Sequence, residues 1–104
     1  MLRFFLLIIL SFSLFACATP SPRITSELQQ GKRYFEDGYY KRAMKQLLPL
    51  ASDGNAEAEY AVGYMYYYGN GVAEDPDVGY FWIKRSADQH YPPAIKALGM
   101  MHPH

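Results

Sequence analysis

The residues able to do chemistry are few and poorly grouped for catalysis. His90, His102 and His104 are the only imidazoles, and the last two flank Pro103 at a terminus, where chains are usually mobile. A metal centre needs three or four ligands with a rigid surrounding shell, which this pattern does not supply. Asp75 and Asp77 bracket Pro76, the pattern of a helix cap and a dipole partner more than of an acid/base pair. There is no Ser/His/Asp spacing, phosphate loop or dinucleotide fingerprint. The sequence therefore assigns no catalytic residue, no metal and no cofactor, and the chemistry left is recognition. Its most concentrated stretch is GYMYYYGNGV, Gly63 to Val72, with four tyrosines in five residues. Tyrosine offers a large rigid surface and a hydroxyl at low entropic cost, the combination used in binding peptides.

The ends of the chain bound where such recognition takes place. MLRFFLLIILSFSLFACATP opens with one cation, Arg3, then an apolar run from Phe4 to Leu10, too short and one-sided for a membrane span and typical of a secretory signal peptide over 1–16. Leu14-Phe15-Ala16-Cys17 resembles the lipobox of bacterial lipoproteins, Phe15 being bulky for its place. That resemblance implies cleavage before Cys17 and a diacylglyceryl group on its thiol, with palmitate as the expected acyl chain. The alternative, Ala16-Cys17-Ala18, fits ordinary signal peptidase, which would discard the only cysteine. Residues 17–25 then form the lipidated residue and a Pro/Ser/Thr tether, whose eight residues after Cys17 reach roughly 25 Å at about 3.1 Å per residue. Cleavage before Cys17 leaves 88 of the 104 residues, enough for one small domain over 26–104. Nine cations then face ten carboxylates, a balance that argues against a nucleic-acid partner. No second cysteine exists to form an internal disulfide.

Recognition residues need a scaffold, and the pattern from Ser26 onward is helical, interrupted at short intervals. Ser26 and Gln29 suggest a capping box, with Leu28, Gly31 and Phe35 at helical spacing before Asp37-Gly38. A second helix is expected over Tyr39–Ser52, stopped by Gly54, and a third from the cap Asn55 to Tyr68, stopped by Gly69. Asp75-Pro76 starts a fourth, to about Gln89, and a fifth begins near Pro93. No stretch shows the sustained alternation of a strand, so the fold class is all-α.

A shift of 36 residues lays the second half on itself: Ala51 on Ala87, Ala58 on Ala94, Ala61 on Ala97, Gly63 on Gly99 and Met65 on Met101. Ala58, Val62, Gly63, Tyr66, Gly69, Gly71, Val72, Asp75, Trp82 and Ala87 resemble the Sel1-like repeat, a relative of the tetratricopeptide repeat, with the pattern AxxxLGxxYxxGxGVxxDxxxAxxWxxxAA. The resemblance covers one full repeat, Ala58 to His90, with a shorter one before and a truncated one after. It implies a short solenoid of antiparallel helix pairs, about two and a half repeats. Val62 stands for Leu, Gly79 and Ser86 for Ala, and His90 where the family prefers Gly. Gly79 within a helix is expected to weaken it by roughly 1 kcal/mol relative to Ala.

On the third helix Ala58, Val62, Met65 and Tyr66 share one side, while Tyr60, Tyr64 and Tyr67 gather opposite. The tetratricopeptide-like resemblance makes this second side the concave, partner-facing one, joined by Lys32 and Phe35 before it and Lys96 and Met100 after it. Three readings stay open: packing between repeats, a groove for a peptide or protein, or a self-association surface. Ala94, Leu98 and Met101 form an apolar face whose covering helix is missing, so a second copy, giving a homodimer, or a partner protein is expected to cap it. The combined expectation is a non-enzymatic adaptor tethered at a Gram-negative cell envelope, Ala18 after the cysteine favouring the outer membrane, facing the periplasm. A soluble periplasmic or secreted protein is the alternative location. Alternative functions are a hydrolase-like secreted protein of the same repeat family, with His90 as the residue to test, or a self-associating structural lipoprotein.

Overall fold

The computed structural model describes residues 21–101; the expected signal peptide, Cys17, His102 and His104 lie outside them. Among the described residues five helices follow one another: α1 Pro22–Glu36, α2 Tyr40–Ser52, α3 Ala56–Tyr68, α4 Pro76–Asp88 and α5 Pro92–Met100. Each packs on the next, and α1 also touches α3. Successive antiparallel pairs stacked in this way make a short helical solenoid, the fold class expected.

One boundary differs from expectation. The first helix begins at Pro22, not after Ser26, so part of the stretch expected as tether is helical. Ser21 is the cap, its hydroxyl accepting from Ile24 N at 3.4 Å, and Pro22 occupies the first helical position, where its missing N–H is not needed. A serine followed by proline is a stronger start signal than the Ser26/Gln29 box, and it overrides it.

The ends of α1 to α4 follow one rule, whereas α5 runs out into extended backbone at Met101. After α1, Tyr39 N donates to Tyr34 O at 2.8 Å and Gly38 N to Phe35 O at 3.3 Å. Asn55 N to Leu50 O and Gly54 N to Ala51 O repeat the pattern after α2, and Tyr91 N to Ser86 O with His90 N to Ala87 O repeat it after α4. This is the Schellman closure, which needs a left-handed residue at its centre. Gly38, Gly54 and Gly69 supply it with φ of 83°, 96° and 71°, and His90 supplies it at 64°. The position where the resembled family prefers Gly is thus a backbone requirement, met here by a strained histidine.

The core is formed by Ala43, Leu47, Leu50 and Ala51 of α2 against Ala58, Ala61, Val62 and Met65 of α3, with Ile83 of α4 and Ala94 of α5 extending it. Small residues let the helices approach. A Cβ on Gly31 would stand 2.5 Å from Leu47 Cδ2, and one on Gly63 would stand 2.8 Å from Ile83 Cγ1. Gly79 is the same device from the other side: its Cβ would meet Tyr67 N at 2.7 Å and Gly63 O at 2.8 Å. The expected weakening of α4 by Gly79 therefore has to be corrected, because alanine does not fit there. Ser86, the other departure from the pattern, is buried and donates to Ala56 O at 2.7 Å, tying α4 to the start of α3. The loop after α3 folds back onto α2, where a Cβ on Gly71 would come within 2.7 Å of Tyr40 Cβ.

Candidate protein-interaction surface

The α1, α3 and α5 helices share a face, and the residues expected to bind a partner lie on it. Tyr64 and Phe35 meet edge to face with ring centroids 5.4 Å apart, and Phe35 meets Tyr40 at 6.0 Å. Tyr60 lies 6.3 Å from Tyr64 and 5.7 Å from Tyr91. Tyr68 extends the series, 4.7 Å from Tyr64 and 5.0 Å from Tyr67. Such tilted and T-shaped pairs fix ring positions without burying them completely. The tyrosines therefore hold neighbouring helical hairpins together with one part of the ring and present the rest to the surface.

Tyr60 is shared by three depressions. A cavity of about 110 Å³ is walled by Tyr60, Tyr64, Tyr67, Tyr68, Ile83 and Met100. A second, also about 110 Å³, lies between Tyr60, Tyr91, Phe35, Lys32 and Glu57. A third and shallower one joins Tyr60 to Pro92, Pro93, Lys96 and Met100. All six residues expected to contact a partner, Lys32, Phe35, Tyr60, Tyr64, Tyr67 and Lys96, thus line one face, and Met100 joins them.

The polar groups of this face are unequal. Lys32 Nζ sits 2.7 Å from Glu57 Oε2. The hydrogen bond that Lys32 donates to Glu57 raises the lysine above its ordinary 10.5, against an opposing effect of desolvation. Burial likewise raises the Tyr60 and Tyr91 hydroxyls above 10.0. Lys96 is exposed and makes no ion pair among the described residues. The face offers apolar pockets, neutral phenols, one neutralised cation and one free cation.

Tyr68, Tyr91 and Glu57 also belong to this face and were not among the residues expected there. Tyr68 had a signal, since it follows Tyr60 and Tyr64 at four-residue spacing on the same helix. Glu57 had one too, preceding Tyr60 by three residues and Tyr64 by seven on the same helix, whereas Tyr91 had none, because its neighbour Tyr60 comes from another helix.

The capping face requires a correction. Ala94 is fully buried within the chain, so it cannot belong to a bare surface. Leu98 and Met101 are half-buried, and the exposed apolar residues of α5 are Ile95 and Met100, at 49% and 68%. Ala94 sits in the first turn of α5, which packs on α4. A Cβ at Gly99 would meet nothing within 4 Å, unlike one at Gly31 or Gly63.

On the opposite side of α3, Glu59 is fully buried. Its Oε2 lies 2.8 Å from Arg85 Nε, and Gln89 Nε2 donates to Oε1 and, at 2.8 Å, to Gly54 O. Arg85 in turn lies over the Trp82 and Phe81 rings, 5.3 and 5.7 Å from their centroids. His90, the residue named for a hydrolytic alternative, is exposed and serves the closure after α4. Asp75 is the cap of α4, its carboxylate accepting from Val78 N at 3.2 Å.

Comparison with known proteins agrees with this geometry. A 48-residue stretch is 48% identical to chitin synthase regulatory factor 3 of Schizosaccharomyces pombe, covering 46% of this chain and 5% of that protein. The chain thus spans a small fraction of the relative's length. No solved structure matches. The Sel1 repeat model matches residues 56–91, which run from the first residue of α3 through α4 to Tyr91, so the similarity covers one helix pair of the solenoid.

Proposed function

We propose that the protein is a non-enzymatic adaptor that holds a peptide or protein partner on the aromatic face of α1, α3 and α5. One observation carries this reading: Tyr60 forms a common wall between two cavities of about 110 Å³ each. Each is smaller than the roughly 150 Å³ that takes a benzene-sized group, and so matches an aliphatic side chain. A segment with two apolar side chains straddling Tyr60, and a carboxylate near Lys96, fits the face. The Sel1 repeat and a relative named as a regulatory factor support an interaction role in place of catalysis.

The test is retention of partner proteins from a cell-envelope extract on the immobilised protein. Replacement of Tyr60, Tyr64 and Tyr67 by Ala, with helicity verified, is expected to abolish retention, and Lys96→Glu to weaken it. A hydrolytic activity that survives those changes and disappears in His90→Ala would overturn the adaptor reading in favour of the enzyme.

The location belongs to the same proposal. Cleavage after Ala16 and lipidation of Cys17 place the adaptor on a membrane, at the outer membrane of a bacterial envelope facing the periplasm. Support comes from the Leu14–Cys17 motif alone. Mass spectrometry of the N-terminal peptide is expected to find a diacylglyceryl cysteine, lost in Cys17→Ser. An unmodified peptide starting at Thr19 would instead establish a soluble product.

A second reading concerns the last helix. The open surroundings of Gly99, beside exposed Ile95 and Met100, favour capping of this end by a second copy. Sedimentation is expected to show a dimer that Met100→Glu dissociates; a monomer at all concentrations would sink it.

A further inference from the structure

The cations of this chain are unevenly spread. Arg23, Lys32, Lys84 and Arg85 each pair with a carboxylate. Lys41, Arg42 and Lys45 do not pair among the described residues, all three are exposed, and α2, which carries them, contains no Asp or Glu. At 100° per residue they span a 100° arc, and Pro49 and Ser52, also exposed, fall within it. Arg42 is held between two rings, 5.5 Å from the centroid of Tyr39 and 6.0 Å from that of Tyr34, and Tyr39 is 57% exposed. The carboxylates of this hairpin, Glu27, Glu36, Asp37 and Asp53, lie on α1 or in the turns, and Glu27, which shares a shallow groove with Arg42 and Lys45, is paired with Arg23 at 3.1 Å.

We propose that the outer face of α2, formed by Lys41, Arg42 and Lys45 with Tyr39, rests on a bilayer surface rich in anionic headgroups. Three things select a membrane over other anionic partners. The face carries only an open, shallow groove and lacks the narrower pockets of the aromatic side. A tyrosine beside basic residues suits the headgroup layer, where an amphipathic ring is half wet. Cys17, the residue proposed to carry the lipid, precedes α1 by only a short segment: from Cys17 to Pro22 the chain can reach about 17 Å at most. Anchored there, the domain would have its first hairpin within reach of the headgroups. Gln46 Nε2 donates to Glu27 O at 3.2 Å, so the N-terminal part of α1 lies beside the latter half of α2. With α2 on the membrane, Tyr60 and its pockets, on the layer of α1, α3 and α5, face away from it and stay open to a partner.

The proposal extends the membrane location given above, and the two can fail separately. The full chain is mixed with vesicles of phosphatidylcholine alone and with vesicles containing phosphatidylglycerol, and the bound fraction is measured by flotation at physiological salt. Each Lys or Arg near an anionic surface contributes about fivefold in partitioning, so three amount to a preference on the order of a hundredfold for the anionic vesicles. Lys41→Gln, Arg42→Gln and Lys45→Gln together are expected to remove most of that preference without changing binding to neutral vesicles. Lys84→Gln, which removes one cation elsewhere, is expected to change it by less than twofold, against about fivefold for Lys45→Gln alone. Raised salt should abolish it as screening shortens. Loss of the anchor lowers binding to both vesicle types; loss of the face lowers it only for the anionic one. An anionic preference retained by the triple variant, or none in the unaltered chain, overturns the proposal and leaves the face to an acidic protein or to solvent.

Discussion

Gly63 of α3 and Gly79 of α4 cross with their backbones in contact: a Cβ on Gly63 would lie 2.9 Å from Gly79 O, and a Cβ on Gly79 would lie 2.8 Å from Gly63 O. Two glycines thus set the spacing of the helix pair that forms the full repeat. Close approach lets Ile83 and Met65 reach complete burial on either side of the crossing.

Gly63→Ala and Gly79→Ala are each expected to destabilise by about 1–3 kcal/mol, the usual result of overpacking. Gly99→Ala, at the equivalent position of α5 with open space around it, should be neutral or stabilising by up to about 1 kcal/mol from helix propensity. Urea midpoints of the three variants decide the matter. Equal effects at all three positions would mean that the crossing does not set the spacing.

Replacing His90 by Gly should stabilise. A non-glycine residue at φ 64° carries roughly 1–2 kcal/mol of left-handed strain, partly offset by the greater unfolded-state freedom of glycine. The net expectation is about 0.5–1 kcal/mol, seen as a higher thermal midpoint. Gly54→Ala should move the other way, since it introduces the strain that His90 already bears.

The buried pair predicts an asymmetry. Arg85→Ala leaves the carboxylate of Glu59 buried with only Gln89 for company and is expected to cost about 3 kcal/mol. Glu59→Gln leaves an arginine whose side chain is 43% exposed and can be solvated, and should cost clearly less. Chemical denaturation of both variants is the check, and equal losses would contradict the burial of Glu59.

Alkaline conditions should weaken the aromatic face. Lys32, Tyr60 and Tyr91 all have folded-state values raised above their ordinary 10.5, 10.0 and 10.0. The folded state therefore holds these protons more tightly than the unfolded state does. Their contribution is complete below pH 10.0 and is lost as pH rises through the raised values. Thermal midpoints should fall above that pH, with phenolate absorbance from two tyrosines appearing late. Lys32→Met should remove part of the dependence.

Most of the local structure was legible in the sequence because its signals are local. Asn55 and Asp75 cap α3 and α4 as their types imply, Gly54 and Gly69 turn the chain at positive φ, and Tyr60, Tyr64 and Tyr67 do share a face through helical spacing. The 36-residue self-similarity was enough for a stacked-hairpin solenoid, since each hairpin must bury its apolar side on the next.

Tertiary structure alone decided what depends on two helices at once. The need for glycine at 79 is imposed by the Gly63 carbonyl and the Tyr67 backbone, and propensity on a single helix could only count it as a weakness. The burial of Glu59 depends on Arg85 and Gln89 from α4, and the placing of Tyr91 and Glu57 beside Tyr60 and Lys32 depends on how α1, α3 and α5 align. Ala94 likewise moved from an expected surface to the core through contact with its neighbours. Capping, turn chemistry and periodicity act within one or two helical turns, so the sequence by itself determined them; pockets, buried charges and close crossings form only where separate helices meet.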